Sequence, residues 1–177
     1  LMCMDNQGLL HNKKIIILDP DPKSLMRKTF CFWGESDEMP ASFCQHLIRN
    51  EWEKVRVNQN TPESILPQKY FHIAGVDLYH ELQRIIKKNN IQLLETPVSS
   101  IQSDSNGVEV NTSQVNLRAT KVFDSRPPRF LPTERGEVHL LQSFIGFVIE
   151  IDQNIKADCI DLMDFDVDQQ GSTQFMY

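Results

Sequence analysis

The chain predicts an α/β fold: a partial βαβ core with β-rich segments hung on it. Three observations carry that expectation. Lys14-Ile15-Ile16-Ile17-Leu18-Asp19 is a β-branched apolar run that stops at an acid. Asp77 to Lys88 has the apolar period of a helix and leads directly into a further apolar run, Ile91-Gln92-Leu93-Leu94. Beyond these, short alternating segments are separated by turn residues.

Taken in order, Leu1-Met2-Cys3-Met4 reads as the tail of an apolar helix and Gly8 as its stop, followed by the buried strand Lys14 to Asp19. Asp19-Pro20-Asp21-Pro22 turns away from the sheet, because each proline removes a ladder donor. The aromatic cluster Phe30-Cys31-Phe32-Trp33 follows, then a mixed segment in which Trp52 to Val57 alternates like a strand. Tyr70 to Ala74 is a short strand. In the helix after it, Leu78, Leu82, Ile85 and Ile86 share one face, and Lys87 and Lys88 sit at the favourable end of the dipole. Val98 to Ile101, Val108 to Asn111 and Val115 to Thr120 form a meander, with Ser103 to Gly107 as a turn. Lys121 to Asp124 is expected to be another strand ending in an acid, broken by Ser125-Arg126-Pro127-Pro128. Phe144 to Glu150 and the acidic, alternating Asp161 to Asp166 complete the strands expected, and there is no internal repeat.

The 177 residues are 40% hydrophobic, enough for a core, and the net charge of −6 with scattered basic residues argues against a nucleic-acid-binding role. Cys3, Cys31, Cys44 and Cys159 share no C-x-x-C spacing, so reduced thiols in a cytoplasmic setting are expected, with neither zinc site nor disulfide scaffold. No metal ligands are expected. The apolar runs are far shorter than the ~20 residues that span a bilayer, so any membrane contact is expected to be peripheral.

Asp19 has two readings. A carboxylate ending the second strand of a Rossmann-like unit holds the adenosine ribose; a polar residue also ends many ordinary strands. In the functional reading a glycine fingerprint stands about 20 residues earlier, which counts back to before Leu1, and no G-x-G-x-x-G occurs in these residues. Phe30, Phe32 and Trp33 read first as core and second as the wall of a site for a polyene or a carbocation. Asp164, Asp166 and Asp168 would share one strand face, a solvated edge or a group of mutually raised carboxyls suited to general-acid work. Their spacing does not match an EF-hand. His11, His46, His72, His80 and His139 are dispersed, and no G-x-S-x-G or Cys with an evident base supports nucleophilic hydrolysis.

Together the stretches Ile15 to Pro22, Thr29 to Trp33, Tyr70 through Gly75 to Tyr79, Val122 to Pro128, Leu141 to Gly146, and Leu162 to Phe165 with Asp168-Gln169 and Gly171 resemble the lycopene cyclase family. Its members are flavoproteins that close the ends of linear carotenes. The resemblance implies an FAD-dependent, non-redox isomerase of the bacterial type, a lycopene beta-cyclase with a Rossmann-like FAD-binding core. It divides the chain into 1–35, a partial FAD-binding βαβ unit; 36–80, a substrate-domain insertion; 81–130, a return to the FAD-binding core with the meander; and 131–177, substrate-domain strands.

By the same resemblance Asp19 holds the ribose, Arg27 lies near a flavin phosphate or ribose, and Val98 presents backbone groups to the adenine. Asp124, Ser125 and Arg126 form a second strand-end loop near the cofactor. NAD(P)H keeps the flavin reduced, and the partner is lycopene or a related linear carotene reached by peripheral membrane contact. A proton adds to the terminal double bond, an internal double bond attacks the cation, and proton loss gives the β-ring. Such a site needs a dry tunnel and groups that outlast a cation, for which Phe32, Trp33 and Asp164 are wall candidates, Trp33 and Asp164 the catalytic ones. The family's glutamate-bearing motif would fall past Tyr177, so weak or no FAD binding and no cyclisation are expected of these residues alone. A redox flavoprotein of the monooxygenase or prenyl-reductase type, and a non-catalytic binding domain, are the alternatives.

Overall fold

A computed structural model describes residues 1–58, 60–127, 144–147, 149, 152 and 157–176. The fold is mixed α and β, with four small sheets and few helices among the described residues.

The predicted core unit is present. Helix α1 (Met2–Asn6) stops ahead of Gly8, whose φ of 68° is left-handed, and strand β1 (Ile16–Leu18) follows. β1 pairs in parallel with β7 (Gln92–Leu94), Ile17 opposite Leu93. Between them in sequence runs the long helix α3 (Gly75–Lys88), whose Ile85 is 1% exposed. Leu10, Ile85 and Ile91 make its core, with Met2, Met4, Ile15, Ile17 and Ile86 packed around them. Asp5 of α1 ties the far end of α3 by accepting from Lys88 Nζ at 3.1 Å and Asn89 Nδ2 at 3.0 Å.

A short 3-10 segment (Pro22–Arg27) carries the chain from β1 to β2 (Thr29–Gly34). It lies directly on the start of α3, where Gly75 N donates to Lys28 O at 2.8 Å. Only glycine fits there, because an added Cβ would stand 2.0 Å from Leu25 O and 2.4 Å from Lys28 O.

β2 pairs antiparallel with β6 (Lys69–Ala74), and β6 with β3 (Ile48–Trp52). β3 carries one irregularity: Ile48 faces Ile73 but Asn50 faces His72, so Arg49 is an extra residue in the ladder. Phe30, Phe32, Ile48 and Ile73 pack with Cys44 and Leu47, from the short helix α2 (Ala41–Cys44) and the turn after it, to form a second core. Phe32 therefore belongs to the core; it stacks on buried Phe71 at 5.2 Å and is not a wall residue of an open face.

The expected alternating strand Trp52 to Val57 is broken at Glu53, after which β4 (Lys54–Val57) pairs with β5 (Glu63–Ser64). β8 (Val98–Asp104), β9 (Gly107–Thr112) and β10 (Asn116–Ala119) form the predicted meander. Gly107, at φ 138°, closes the β8–β9 turn, and Asp104 Oδ1 accepts from Asn106 N at 2.7 Å.

Three expected strands differ. Residues 121–124 form no strand: Phe123 is 88% exposed, and Asp124 folds back to accept from Arg126 N at 3.1 Å, closing a turn where a ladder would run. Phe144 to Phe147 and Ile149 form no strand and are exposed; Val148 and Glu150 lie outside the described residues, as do Leu141 to Ser143 and Pro128. The acidic strand is only β11 (Ile160–Leu162), parallel to β4. Met163, at φ 52°, ends it.

Candidate functional site

The carboxyl edge of β1 and β7 holds Asp19, one of the residues expected to meet a cofactor. Asp19 N and Thr96 N both donate to Leu94 O, at 3.1 and 2.9 Å, so the two residues that follow the paired strands share one carbonyl. Asp19 is half-buried and its Oδ1 accepts from Asp21 N at 2.9 Å. Thr96 was not singled out in the sequence; it is fully buried, and its Oγ1 has no partner among the described residues. A buried hydroxyl left unpaired costs about 1–3 kcal/mol, which marks this edge as a place that lacks a hydrogen-bonding group.

Arg126 joins the start of β8. Its Nη1 donates to Val98 O at 3.0 Å, and its Nε and Nη2 both hold Asp124 at 2.9 Å. This clamp holds the Asp124 carboxyl down to about 2. Asp124 and Arg126 are thus joined to Val98, and Leu94, four residues earlier in the chain, is joined to Asp19 at the end of β1. Arg27 stands on the segment leading away from it and pairs with Asp21 at 3.2 Å, largely exposed. Gly75, also missed, holds that segment against α3; its only signal in the sequence is a glycine between a strand and a helix.

The β2–β6–β3 sheet supplies a second surface. Trp33, Tyr70 and Trp52 stand opposite one another on three neighbouring strands, with ring centroids 4.5 Å apart for Trp33 and Tyr70 and 6.2 Å for Trp52 and Tyr70. Tyr70 is buried under the other two rings, and Trp33 is nearly half exposed. The next row on this face is Cys31, His72 and Asn50. Burial pushes the Cys31 thiol up, so it stays protonated, while a hydrogen bond from Tyr70 acts the other way. His72 Nδ1 lies 3.1 Å from Asn50 Oδ1. Burial first and the Arg49 guanidinium second hold the imidazole below its ordinary range, against the pull of Asp77. No residue in these two rows carries a formal charge at neutral pH. Solvent faces of antiparallel sheets are ordinarily polar, and a neutral aromatic face selects apolar or polarisable partners.

Asp164 lies two residues past the end of β11. It pairs with Met176 through backbone bonds of 2.8 and 2.9 Å, and its Oδ1 accepts from Asp166 N at 3.0 Å. Asp168 makes the same local turn with Gln170 N at 3.2 Å. Asp164, Asp166 and Asp168 therefore share no strand face, because each turn redirects the chain. An open cleft of about 440 Å³ beside them is lined by Asn58, Asn60, Phe165 and Asp166. Of the two catalytic candidates, Trp33 lies in the β2–β6–β3 sheet and Asp164 lies outside the sheets, in an isolated bridge with Met176. Among the described residues no group of three or more His, Cys, Asp or Glu side chains is arranged to hold a metal, and no helix is long and apolar enough to cross a membrane.

The profile of the family described as "Lycopene cyclase protein" matches residues 9–177. The chain belongs to the lycopene cyclase family. No curated protein matches it. Two solved structures are similar to this lycopene cyclase family chain. The halogenase PltM, in complex with ethyl mercury and mercury, is 14% identical with a TM-score of 0.40, over 66% of this chain and 30% of that one. The peptidyl tryptophan dihydroxylase QhpG, described as essential for tryptophylquinone cofactor biogenesis, is 11% identical with a TM-score of 0.36, over 60% and 30%. The chain thus spans less than a third of the length of either structure.

Proposed function

We propose that the protein closes the linear ends of lycopene or a related carotene to β-rings without net oxidation or reduction, and that it does so with FAD bound at the carboxyl edge of β1 and β7. The family match over residues 9–177 carries this reading. The proposed fold is Rossmann-like in that core, with the aromatic sheet belonging to the substrate side.

The residues at the edge fit the adenosine half of the cofactor. Asp19 offers a carboxylate to a ribose hydroxyl, and the backbone around Val98 offers amide groups to an adenine. Arg126, anchored on Val98 O, adds an ion pair with Asp124. No glycine-rich loop is present among the described residues to cradle a diphosphate, so Arg27 is the side chain nearest that role in the reading. When bound and reduced, with NAD(P)H as the reductant, flavin supplies negative charge close to the developing cation.

The chain's own contribution is an apolar, electron-rich surface. Trp33, Tyr70 and Trp52 stabilise a passing carbocation through their ring faces without forming a bond to it. The protonated Cys31 beside them is a poor nucleophile and leaves the cation intact. A substrate dissolved in lipid requires peripheral contact with a membrane.

Expression of the full-length protein in lycopene-accumulating cells tests the reading. The expected pigment has the mass of lycopene and a β-ring. A changed mass would instead indicate a redox flavoprotein, and unchanged lycopene beside folded, flavin-loaded protein would leave a binding domain. Replacing Asp19 by Asn removes a charge-assisted hydrogen bond of about 1.5–3 kcal/mol and is expected to weaken flavin binding at least tenfold, read by fluorescence titration; unaltered affinity removes Asp19 from the site.

A further inference from the structure

We propose that His72 is the base that takes the final proton of the ring closure, through Nε2, and that its place on the aromatic face selects which ring isomer forms. This rests on the cyclase reading above and assigns a group that the reading leaves open.

The geometry begins with the ladder. Cys31, His72 and Asn50 face one another on β2, β6 and β3, one row along from Trp33, Tyr70 and Trp52 and on the same side of the sheet. Two residues along a strand is about 7 Å, so a cation resting on the rings has the imidazole within the span of one end group. His72 is the only ionisable nitrogen in the two rows. Asn50 Oδ1 can only accept, so His72 Nδ1 carries the hydrogen across the 3.1 Å contact and Nε2 keeps its lone pair. A base fixed in one tautomer by a neighbouring acceptor is the arrangement proton abstraction requires.

The surroundings keep that lone pair available. Burial and the Arg49 guanidinium on β3 oppose a second proton against the pull of Asp77 on α3, and burial keeps the neighbouring Cys31 thiol protonated. Asp77 is itself occupied, held by Arg49 at 2.5 and 2.9 Å. The imidazole is therefore neutral when the cation forms.

The step balances without a further reactant. After ring closure the positive charge sits on a ring carbon. A C–H bond on the neighbouring carbon breaks, its electron pair becomes the ring double bond, and the proton passes to Nε2. The products are the neutral ring and an imidazolium, which returns the proton to solvent. Removing the proton from the ring carbon that bears the polyene chain gives the β-ring; removing it from the ring methylene on the other side of the cation gives the unconjugated isomer. The base's position therefore fixes the product.

The test joins imidazole nitrogen NMR of the protein with product analysis in lycopene-accumulating cells. Expected are a neutral His72 protonated on Nδ1 at pH 7, and for His72→Gln a drop in kcat of about a hundredfold or more with KM little changed and a smaller β-ring fraction in the residual product. Asn50→Leu, on an exposed position, is expected to free the tautomer and lower kcat without unfolding the chain. A hydrogen on Nε2, or wild-type rate and isomer ratio in both variants, overturns the assignment while leaving cyclisation intact. Absence of cyclisation by the wild-type protein overturns both.

Discussion

Replacing Gly75 by Ala inserts one methyl group at the tightest approach found at any of the described glycines. The new Cβ would lie 2.0 Å from Leu25 O and 2.4 Å from Lys28 O, both main-chain atoms that cannot swing aside. Ordinary carbon to oxygen contacts are about 3.3 Å or longer, so the Pro22–Arg27 segment must retreat by about 1 Å. That retreat breaks the 2.8 Å bond from Gly75 N to Lys28 O, worth about 0.5–1.5 kcal/mol. Overpacking adds about 1–3 kcal/mol. The expected loss is thus about 2–4 kcal/mol, a large share of a typical stability of about 5–15 kcal/mol. In a urea titration followed by circular dichroism, with a slope of about 1–3 kcal/mol per molar, the midpoint should fall by about 1 M or more. Gly34→Ala is the control: nothing lies within 4 Å of its added Cβ, and its midpoint should hold or rise. An unmoved midpoint for Gly75→Ala would refute the account of this crossing.

Acid should loosen the packing of α3 on its neighbours. Asn89 and Lys88 hold Asp5, Arg49 holds Asp77, and Arg84 holds Glu81, each below the ordinary carboxylate range. A depressed folded-state value contributes stability that is complete above the unfolded value near 4 and is lost as pH falls through the folded one. The urea midpoint should therefore drop between pH 6 and pH 3, and Asp5→Asn should shallow that slope; an identical slope would exclude Asp5 as a contributor. Phe71, 1% exposed and stacked on Phe32, should cost about 3–5 kcal/mol on replacement by Ala, measured in the same titration, and a loss below about 1 kcal/mol would contradict its place in the core.

What could be read from the chain beforehand was what local pattern controls. The β1 run ending at Asp19, the period of α3 and the turn at Gly107 each follow from neighbours in sequence, and each stands where expected. Partition of the aromatic cluster was not readable, since Phe32 and Trp33 differ only in which side of a ladder they occupy. The strand expected at 121–124 failed because Asp124 found Arg126 two residues on, a side-chain bond that competes with pairing. The acidic strand failed at Met163, a residue type that gives no warning of a left-handed backbone. Thr96 and Gly75 matter through carbonyls brought to them by distant elements, Leu94 in one case and Leu25 and Lys28 in the other.

Arg49, the single extra residue in β3, acts as a parity switch. With unbroken alternation after Ile48, Arg49 would oppose His72, Asn50 would turn inward toward Phe71, and Trp52 would land opposite Lys69. The third ring of the aromatic row and the amide that orients the histidine would both be on the wrong side, and a guanidinium would occupy the neutral face. One inserted amino acid thus sends the charge to Asp77 on the helix and keeps the uncharged side chains together, so loss or gain of a residue between Ile48 and Asn50 would exchange the two faces of β3 while leaving its composition almost unchanged.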